Sequence, residues 1–592
     1  MKIAKVTLPL GLEREFDYLL ENDANPKIGS RLLVDFRGKK QLGILTGIQS
    51  ASRIQKIKPV LDVLDSEPAL SSENIEFAER LSAYYPYASS EFLFMMLPKY
   101  LKRTKKLVFQ ACDKINLPAD SKKTFIKATD FSERYQVWRE FVKEKLKTGS
   151  VLIIFPQVSF LTEARKIIEK DFSDIKVLHS YEGEKELFDA WVSTRKKSLI
   201  LGTRVALFYY PQDLALLVIE EESSQYYFQE EKPFYHLFDL VTLFTETKNV
   251  DVVFSANYPS IYAYNLIKHK KIQLIDKEDE KKQIKVVNIG EHKRQLISPL
   301  LVEFLKKDIA SGKKVVILWN KTGFGSHLAC SSCGYIFQCP SCSGFMKLSL
   351  AKNKGVCPYC GKERDIPKTC DMCNNGYIRS SGVGTERIEL MLGRIFPDAK
   401  IAEWEKRQPQ TQIIIATSKI IGSIYTEEKF DNGFLLDADY QMSRLDYEAT
   451  FDTYIYIKNL SRMFKESVYI FTHNKIHYLF ELINANWTEM YEKELSLRHE
   501  LALPPFGTIA KIILRTQKEN NLLKNSLELL GRFKDKNLDA YGPFKEQPYK
   551  LRGKFRYSIT VKSKDSSALR KIVKEIVRDF RTSSLQAAVI IR

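Results

Sequence analysis

Apolar and polar positions change rhythm several times along this 592-residue chain. Over roughly the first 65 residues they alternate with glycine punctuation, as in "GSRLLVDFRGKKQLGILTGI", which predicts short strands of a small β-rich domain. Residues 74–100 carry a helical spacing, while 101–135 is basic and irregular and reads as a linker or small eroded domain. From 136 the pattern becomes helices alternating with short buried strands, "VLIIFP", "IKVLHS", "SLILGT", "LALLVIEE" and "VDVVFSA", so 136–290 is expected to be a parallel sheet covered by helices. A second series, "KKVVILWN", then "AKIAEW", "TQIIIAT", "NGFLLDAD" and "SVYIFTH", forms another α/β lobe over 291–329 and 376–485, split by an insertion at 330–375. Residues 486–592 make a basic α+β domain at the C-terminal end. The fold class is therefore multidomain α/β, as the length also requires.

Eight of the nine cysteines fall in that insertion as Cys330/Cys333, Cys339/Cys342, Cys357/Cys360 and Cys370/Cys373. Each Cys-x-x-Cys turn aims two thiolates at one point, and two turns complete a closed four-sulfur zinc site, so eight thiolates make two structural Zn2+ sites. Spacing leaves open whether the pairs join in a nested or a sequential order. Iron–sulfur or redox chemistry needs fewer thiolates and is the weaker alternative. Cys112 reads as an ordinary thiol.

Charge narrows the partner. The chain has 92 Lys and Arg against 73 Asp and Glu, a net +19 that suits nucleic acid first and anionic membrane second. No run approaches the roughly 20 apolar residues of a membrane span, and the start has no signal-peptide pattern, so a cytoplasmic protein without membrane contact is expected. Residues 501–592 hold 20 Lys and Arg against 8 Asp and Glu. There "YKLRGKFRYSITVKS" interleaves Arg552, Lys554 and Arg556 with Phe555 and Tyr557 at strand period, so cations can meet phosphates while aromatics stack on bases or pack inward.

The motifs "LPLGLEREFDYLL", "VLDVLDSEP", "VLHSYEGEKELFDAW", "GTRVALF", "LLVIEEE", "GVGTERIE", "FPDAKIA", "LLDAD", "ELALPPFG" and "YKLRGKFRYS" run in one order with the eight cysteines between them. In that order they resemble the primosomal protein N′ (PriA) family of replication-restart DNA helicases over nearly the whole chain. The resemblance implies two RecA-like helicase lobes (136–290; 291–329 with 376–485), a two-zinc insertion, an N-terminal domain (1–100) that captures a DNA 3′ end, and a C-terminal domain that helps engage DNA. It implies the nested zinc pairing, with Cys330, Cys333, Cys370 and Cys373 on one ion and Cys339, Cys342, Cys357 and Cys360 on the other. It places 3′-end recognition on Phe16 and Asp17 with Lys58 as a basic partner; the alternatives are core packing for Phe16 and a turn cap for Asp17. Implied partners are forked, 3′-ended or single-stranded DNA, the single-strand-binding protein and other primosome proteins.

The family's phosphate loop falls on "KATDFSER", Lys127 to Arg134. Glycines normally let backbone N–H groups surround the phosphates, a Lys neutralises them and a Thr holds Mg2+. Here no glycine remains, Glu133 holds the Lys position and Arg134 the Thr position, both against ATP and Mg2+. The family's acidic motif maps to Glu220, Glu221, Glu222 and Ser223, leaving Glu220 and Glu221 as vestigial catalytic positions without the His. Its "SATP" becomes "SANYP" at 255–259, and Met463 and Glu466 replace the two arginines of its arginine motif, with Arg462 one place off register. The expectation is a DNA-binding protein of replication restart and primosome assembly without ATPase activity. The alternatives are an active 3′ to 5′ helicase with a divergent nucleotide site, and a protein-interaction scaffold.

Overall fold

The computed structural model describes residues 2–592 apart from 22–24, 53, 55, 109–120, 181–182, 278–282, 291–296, 320–326, 334, 336, 342–344, 350–353, 358–360, 382–384, 418–419, 421–427, 437, 445 and 581–584. It forms two units. One comprises Met1–Glu278 with Asp565–Arg578 and Val589–Arg592; the other comprises Asp279–Lys564 with Asp579–Ala588.

In the first unit the alternating N-terminal residues form a five-stranded antiparallel sheet, in the order Phe16–Leu20, Lys2–Thr7, Lys39–Gln49, Arg31–Phe36, Val60–Val63. Its inward positions, among them Ala4, Val6, Tyr18, Leu32 and Val34, make one apolar core. A buried ion pair closes its far side: Arg31 donates from Nε and Nη2 to Asp65 and from Nη1 to the carbonyls of Leu101 and Arg103, which ties 101–103 to the sheet. The first α/β lobe is a seven-stranded parallel sheet, in the order Gln273–Asp276, Lys123–Lys127, Asp251–Ala256, Leu214–Glu220, Ser150–Ile154, Leu199–Gly202, Ile175–Leu178. The five apolar runs predicted as strands are all present.

Two boundaries need correction. Strand Lys123–Lys127 pairs with Asp251–Ala256, so the part of 101–135 from 123 onward belongs to the lobe and is not a linker. Its apolar centre is only Phe125 and Ile126, flanked by lysines, too short to stand out against the basic background. Strand Gln283–Asn288 pairs with Phe464–Thr472, so it belongs to the second lobe and not, as the reading of 136–290 had it, to the first.

The second unit holds a six-stranded parallel sheet, in the order Gln283–Asn288, Phe464–Thr472, Phe430–Leu435, Val315–Leu318, Ile413–Ala416, Ile401–Glu403. The cysteine insertion leaves this lobe between strand Val315–Leu318 and helix Thr385–Ile395 as small antiparallel ribbons, His327–Cys330 with Ile378–Ser381 and Lys347–Ser349, Lys354–Val356 and Glu363–Arg364. The C-terminal sheet runs Asp539–Leu551, Lys554–Ser563, Thr508–Thr516, Gln586–Ile591. Among the described residues, no helix is long and apolar enough to cross a membrane.

Candidate functional site

The carboxyl ends of three neighbouring strands of the first lobe, Lys123–Lys127, Asp251–Ala256 and Leu214–Glu220, meet where an open parallel sheet usually binds its ligand. An arginine fills this position. Only residues 128–130 separate strand Lys123–Lys127 from helix Phe131–Lys145, whose buried stripe is Phe131, Arg134, Tyr135, Trp138 and Val142. The stripe turns Arg134 inward while Glu133 stays exposed in the first helical turn. Arg134 Nε and Nη2 donate to Glu220 Oε1 at 2.8 and 2.6 Å, Nη2 also to Glu221 Oε1 at 2.5 Å, and Nη1 to the carbonyls of Ala128 and Thr129 at 2.9 and 3.2 Å. These contacts match the five donors of a guanidinium.

The chemistry of this arrangement is the reverse of a phosphate loop. Two carbonyl oxygens turn toward the cation, the Ala128 N–H bonds Ala256 O at 3.3 Å, and the connection lacks the length to arch around a phosphate. Lys127, the one lysine of the stretch, is buried and donates to Asp276 at 2.9 Å. The second carboxylate oxygen of Glu220 accepts from the Ser255 hydroxyl, a pairing set by the strand register that puts Glu220 opposite Ser255. Burial raises the Glu220 carboxyl above its ordinary range; Arg134 works against that rise and Glu221 with it. Glu222 turns elsewhere, accepting from the Ser260 N–H at 2.9 Å and hydroxyl at 2.6 Å at the start of helix Ile261–Lys268. Burial pushes it to about 7 against those bonds. In the second unit, Arg462 and Met463 are buried at the end of helix Ala449–Ser461, and Glu466 pairs with Lys313 at 2.5 Å.

Four cysteines converge. The sulfurs of Cys330, Cys333, Cys370 and Cys373 lie within 4.8 Å of one another, with Cys330–Cys373 at 3.6 Å and Cys333–Cys370 at 3.8 Å. Zn–S bonds of about 2.3 Å in a tetrahedron require sulfur separations of about 3.8 Å, so the set can hold a metal ion. The Asn375 and Gly376 N–H groups pull Cys373 down to about 6. Of the other set, Cys339 and Cys357 are buried in one small core with Leu328, Phe337 and Met346, while Cys342 and Cys360 lie outside the described residues.

The 3′-end candidates sit on edge strand Phe16–Leu20, where adjacent residues face opposite sides. Phe16 packs edge-on to Phe36 with ring centroids 5.0 Å apart, and the Arg14 guanidinium lies 4.6 Å from the Phe16 ring. Asp17 accepts from Ser52 at 2.5 Å and Gln49 at 3.1 Å and pairs with Lys5 at 3.1 Å. Burial pushes its pKa up, but Ser52, Lys5 and Gln49 outweigh that and hold it below the ordinary value. Lys58 binds Asp35 at 2.9 Å and not Asp17. The sequence reading missed Lys5, although the hairpin register sets it directly opposite Asp17.

The C-terminal cations divide. Arg552 and Gly553 have φ of 48° and 77°, the two left-handed positions of a tight hairpin turn, and both are exposed. Lys554 donates to Gln586 at 2.8 Å. Arg556 requires correction as a phosphate contact: it is 8% exposed and donates to Pro548 O at 3.1 and 2.6 Å. Strand period places it correctly on the face opposite Phe555 and Tyr557, but the neighbouring strand covers that face here.

Arg134→Ala leaves two buried carboxylates without their cation and is expected to destabilise the first lobe by about 3–5 kcal/mol, read from its urea unfolding transition. Glu222 binds its proton more tightly folded than unfolded. Its protonated form therefore contributes stability that is complete below about 4.5 and lost as pH rises to about 7. Relative to Glu222→Gln, the natural chain should lose up to about 3 kcal/mol between pH 5 and 8, measured by unfolding at each pH; parallel curves would contradict this.

A model described as the 3′DNA-binding domain (3′BD) matches residues 5–98, and one described as the primosomal protein N C-terminal domain matches 499–592. The replication restart protein PriA of Rickettsia conorii is 25% identical over 627 aligned positions, spanning 97% of this chain and 96% of that protein. That of Haemophilus influenzae is 24% identical, spanning 97% of each. Among solved structures, RecG bound to a three-way DNA junction aligns with 64% of this chain and 44% of its own, at 8% identity and a TM-score of 0.34. With family domains matched at both ends, full-length similarity between them and a four-cysteine cluster inserted in the second parallel lobe, the chain is similar to the PriA family over nearly its whole length.

Proposed function

We propose that this chain is a cytoplasmic DNA-binding protein of replication restart that recognises forked or single-stranded DNA with a free 3′ end and turns over no ATP of its own. The observation that carries the second half is the Arg134 guanidinium between Glu220 and Glu221, where a metal-bound phosphate would need to lie. A cation held there by two carboxylates repels Mg2+, and the carbonyls of Ala128 and Thr129 repel phosphate oxygens. The first half is supported by the matched 3′DNA-binding domain and by the relatives' name, replication restart protein. In this reading Phe16 and Asp17 contact the DNA terminus with Lys58 as their basic partner, and Arg552 and Lys554 make a separate contact to phosphates in the C-terminal domain. The cysteines hold two Zn2+ that fix the insertion's shape, and the single-strand-binding protein and other primosome proteins are its partners.

The decisive experiment measures binding and ATP hydrolysis by the full zinc-loaded chain, with forked DNA carrying a free 3′ end. The expected result is fork binding tighter than binding of heparin, with no fork-stimulated hydrolysis and no change in fork affinity on adding ATP and Mg2+. Hydrolysis that disappears in Glu221→Gln would establish the helicase instead, and equal affinity for fork and heparin would remove the DNA specificity. Metal analysis should find two zinc ions per chain, falling to one in Cys330→Ser/Cys373→Ser.

A further inference from the structure

Helix Ser72–Tyr84 has no basic residue in its last turn, so the carbonyls that end it must find their donors elsewhere. Helix Ser566–Phe580, whose residues Asp565–Arg578 belong to the same unit, supplies two. Its buried stripe is Leu569, Val573, Ile576 and Val577, and Arg570 and Lys574 lie one turn apart along one flank of that stripe. Arg570 Nη1 donates to Tyr84 O at 2.8 Å, with its guanidinium 3.4 Å from the Tyr84 ring, and Lys574 donates to Ser82 O at 2.6 Å. Lys574 also pairs with Glu13, in the connection between strands Lys2–Thr7 and Phe16–Leu20. Residues 9–15 of this connection are exposed, yet it is tied at two further points: Leu12 O accepts from the Ser90 hydroxyl at 3.3 Å, and Glu15 accepts from the Thr46 hydroxyl at 2.5 Å. Between the two tied glutamates stands Arg14, its guanidinium 4.6 Å from the Phe16 ring.

We infer that Lys574 is a positioning residue for the 3′-end site: it fixes Glu13 and so holds Arg14 against Phe16 before a DNA end arrives. An exposed connection left free would lose its freedom only on binding, and that cost would come out of the affinity. Tethering Glu13 from helix Ser566–Phe580 removes the cost in advance. Lys574 does this without being a DNA ligand, because the three donors of its ammonium already meet Ser82 O, the Ser82 hydroxyl at 3.1 Å and Glu13. Its side chain is 27% exposed and that of Glu13 43%, so the pair falls in the range of part-exposed ion pairs and its loss is read as a few-fold effect.

The inference rests on the 3′-end reading above, and Phe16→Ala separates the two. Affinity of the full zinc-loaded chain is measured for two partial duplexes that differ only in a hydroxyl or a phosphate at the 3′ terminus, since the Asp17 carboxylate favours the hydroxyl and repels the phosphate. The natural chain should prefer the hydroxyl, and Phe16→Ala should lose that preference. Glu13→Gln and Lys574→Met should each lower it about threefold to fivefold, and Glu13→Gln/Lys574→Met no further than either alone, because both changes cut the same tether. The salt slope should stay as it is in the natural chain. Glu13→Gln, on an exposed connection, keeps the test independent of folding. If the natural chain shows no preference, or Phe16→Ala keeps it, the reading of the 3′-end domain itself falls. If Phe16→Ala loses it while Glu13→Gln keeps it, or Lys574→Met weakens both termini by the same factor, the lysine serves only the fold and this inference falls while the 3′-end reading stands. A salt slope reduced by about 1 in Lys574→Met would make the lysine a phosphate contact and overturn it as well.

Discussion

A guanidinium shared by two buried carboxylates governs the first lobe. Taking three charged groups out of water costs several kcal/mol each, and the cost is tolerable only where every donor and acceptor finds a partner. Arg134 meets that condition with the Glu220 and Glu221 carboxylates and two backbone carbonyls, and Ser255 completes Glu220. Each member is therefore hard to remove alone. The two glutamates are the counter-ions of Arg134, and together they keep helix Phe131–Lys145 seated on the sheet.

Much of this architecture was legible in the sequence because parallel strands buried on both faces are unbroken apolar runs, and "VLIIFP", "LALLVIEE" and "TQIIIAT" could hardly be surface segments. Strand Lys123–Lys127 escaped because its pairing with Asp251–Ala256, and not its own composition, makes it a strand. The inward direction of Arg134 is legible in the helical spacing. Phe131, Arg134, Tyr135, Trp138 and Val142 follow a helical stripe, and an arginine inside an apolar stripe demands buried acids, which "VIEEE" supplies.

The opposite lesson comes from Arg556. Strand period sorts cations from aromatics, but period assigns a face without saying whether that face is open. Strand Asp539–Leu551 irregularly shifts its register against Lys554–Ser563, brings Pro548 O onto the Arg556 guanidinium, and leaves Tyr541 and Phe544 further along the same strand uncovered. Irregularity of that kind arises from tertiary pairing, so no window of sequence around residue 556 contains it.

The N-terminal domain shows how an edge strand can keep a polar site intact beside a small core. On one side of strand Phe16–Leu20, Phe16 and Tyr18 join the apolar cluster; on the other, Asp17 is held ionised by Lys5, Ser52 and Gln49. An ionised carboxylate kept in place by three donors is ready to accept a further hydrogen bond from a hydroxyl or a base amine, which a protonated acid would not do as well. The Asp17 cluster and the Arg134 cluster thus rest on different residues in different sheets.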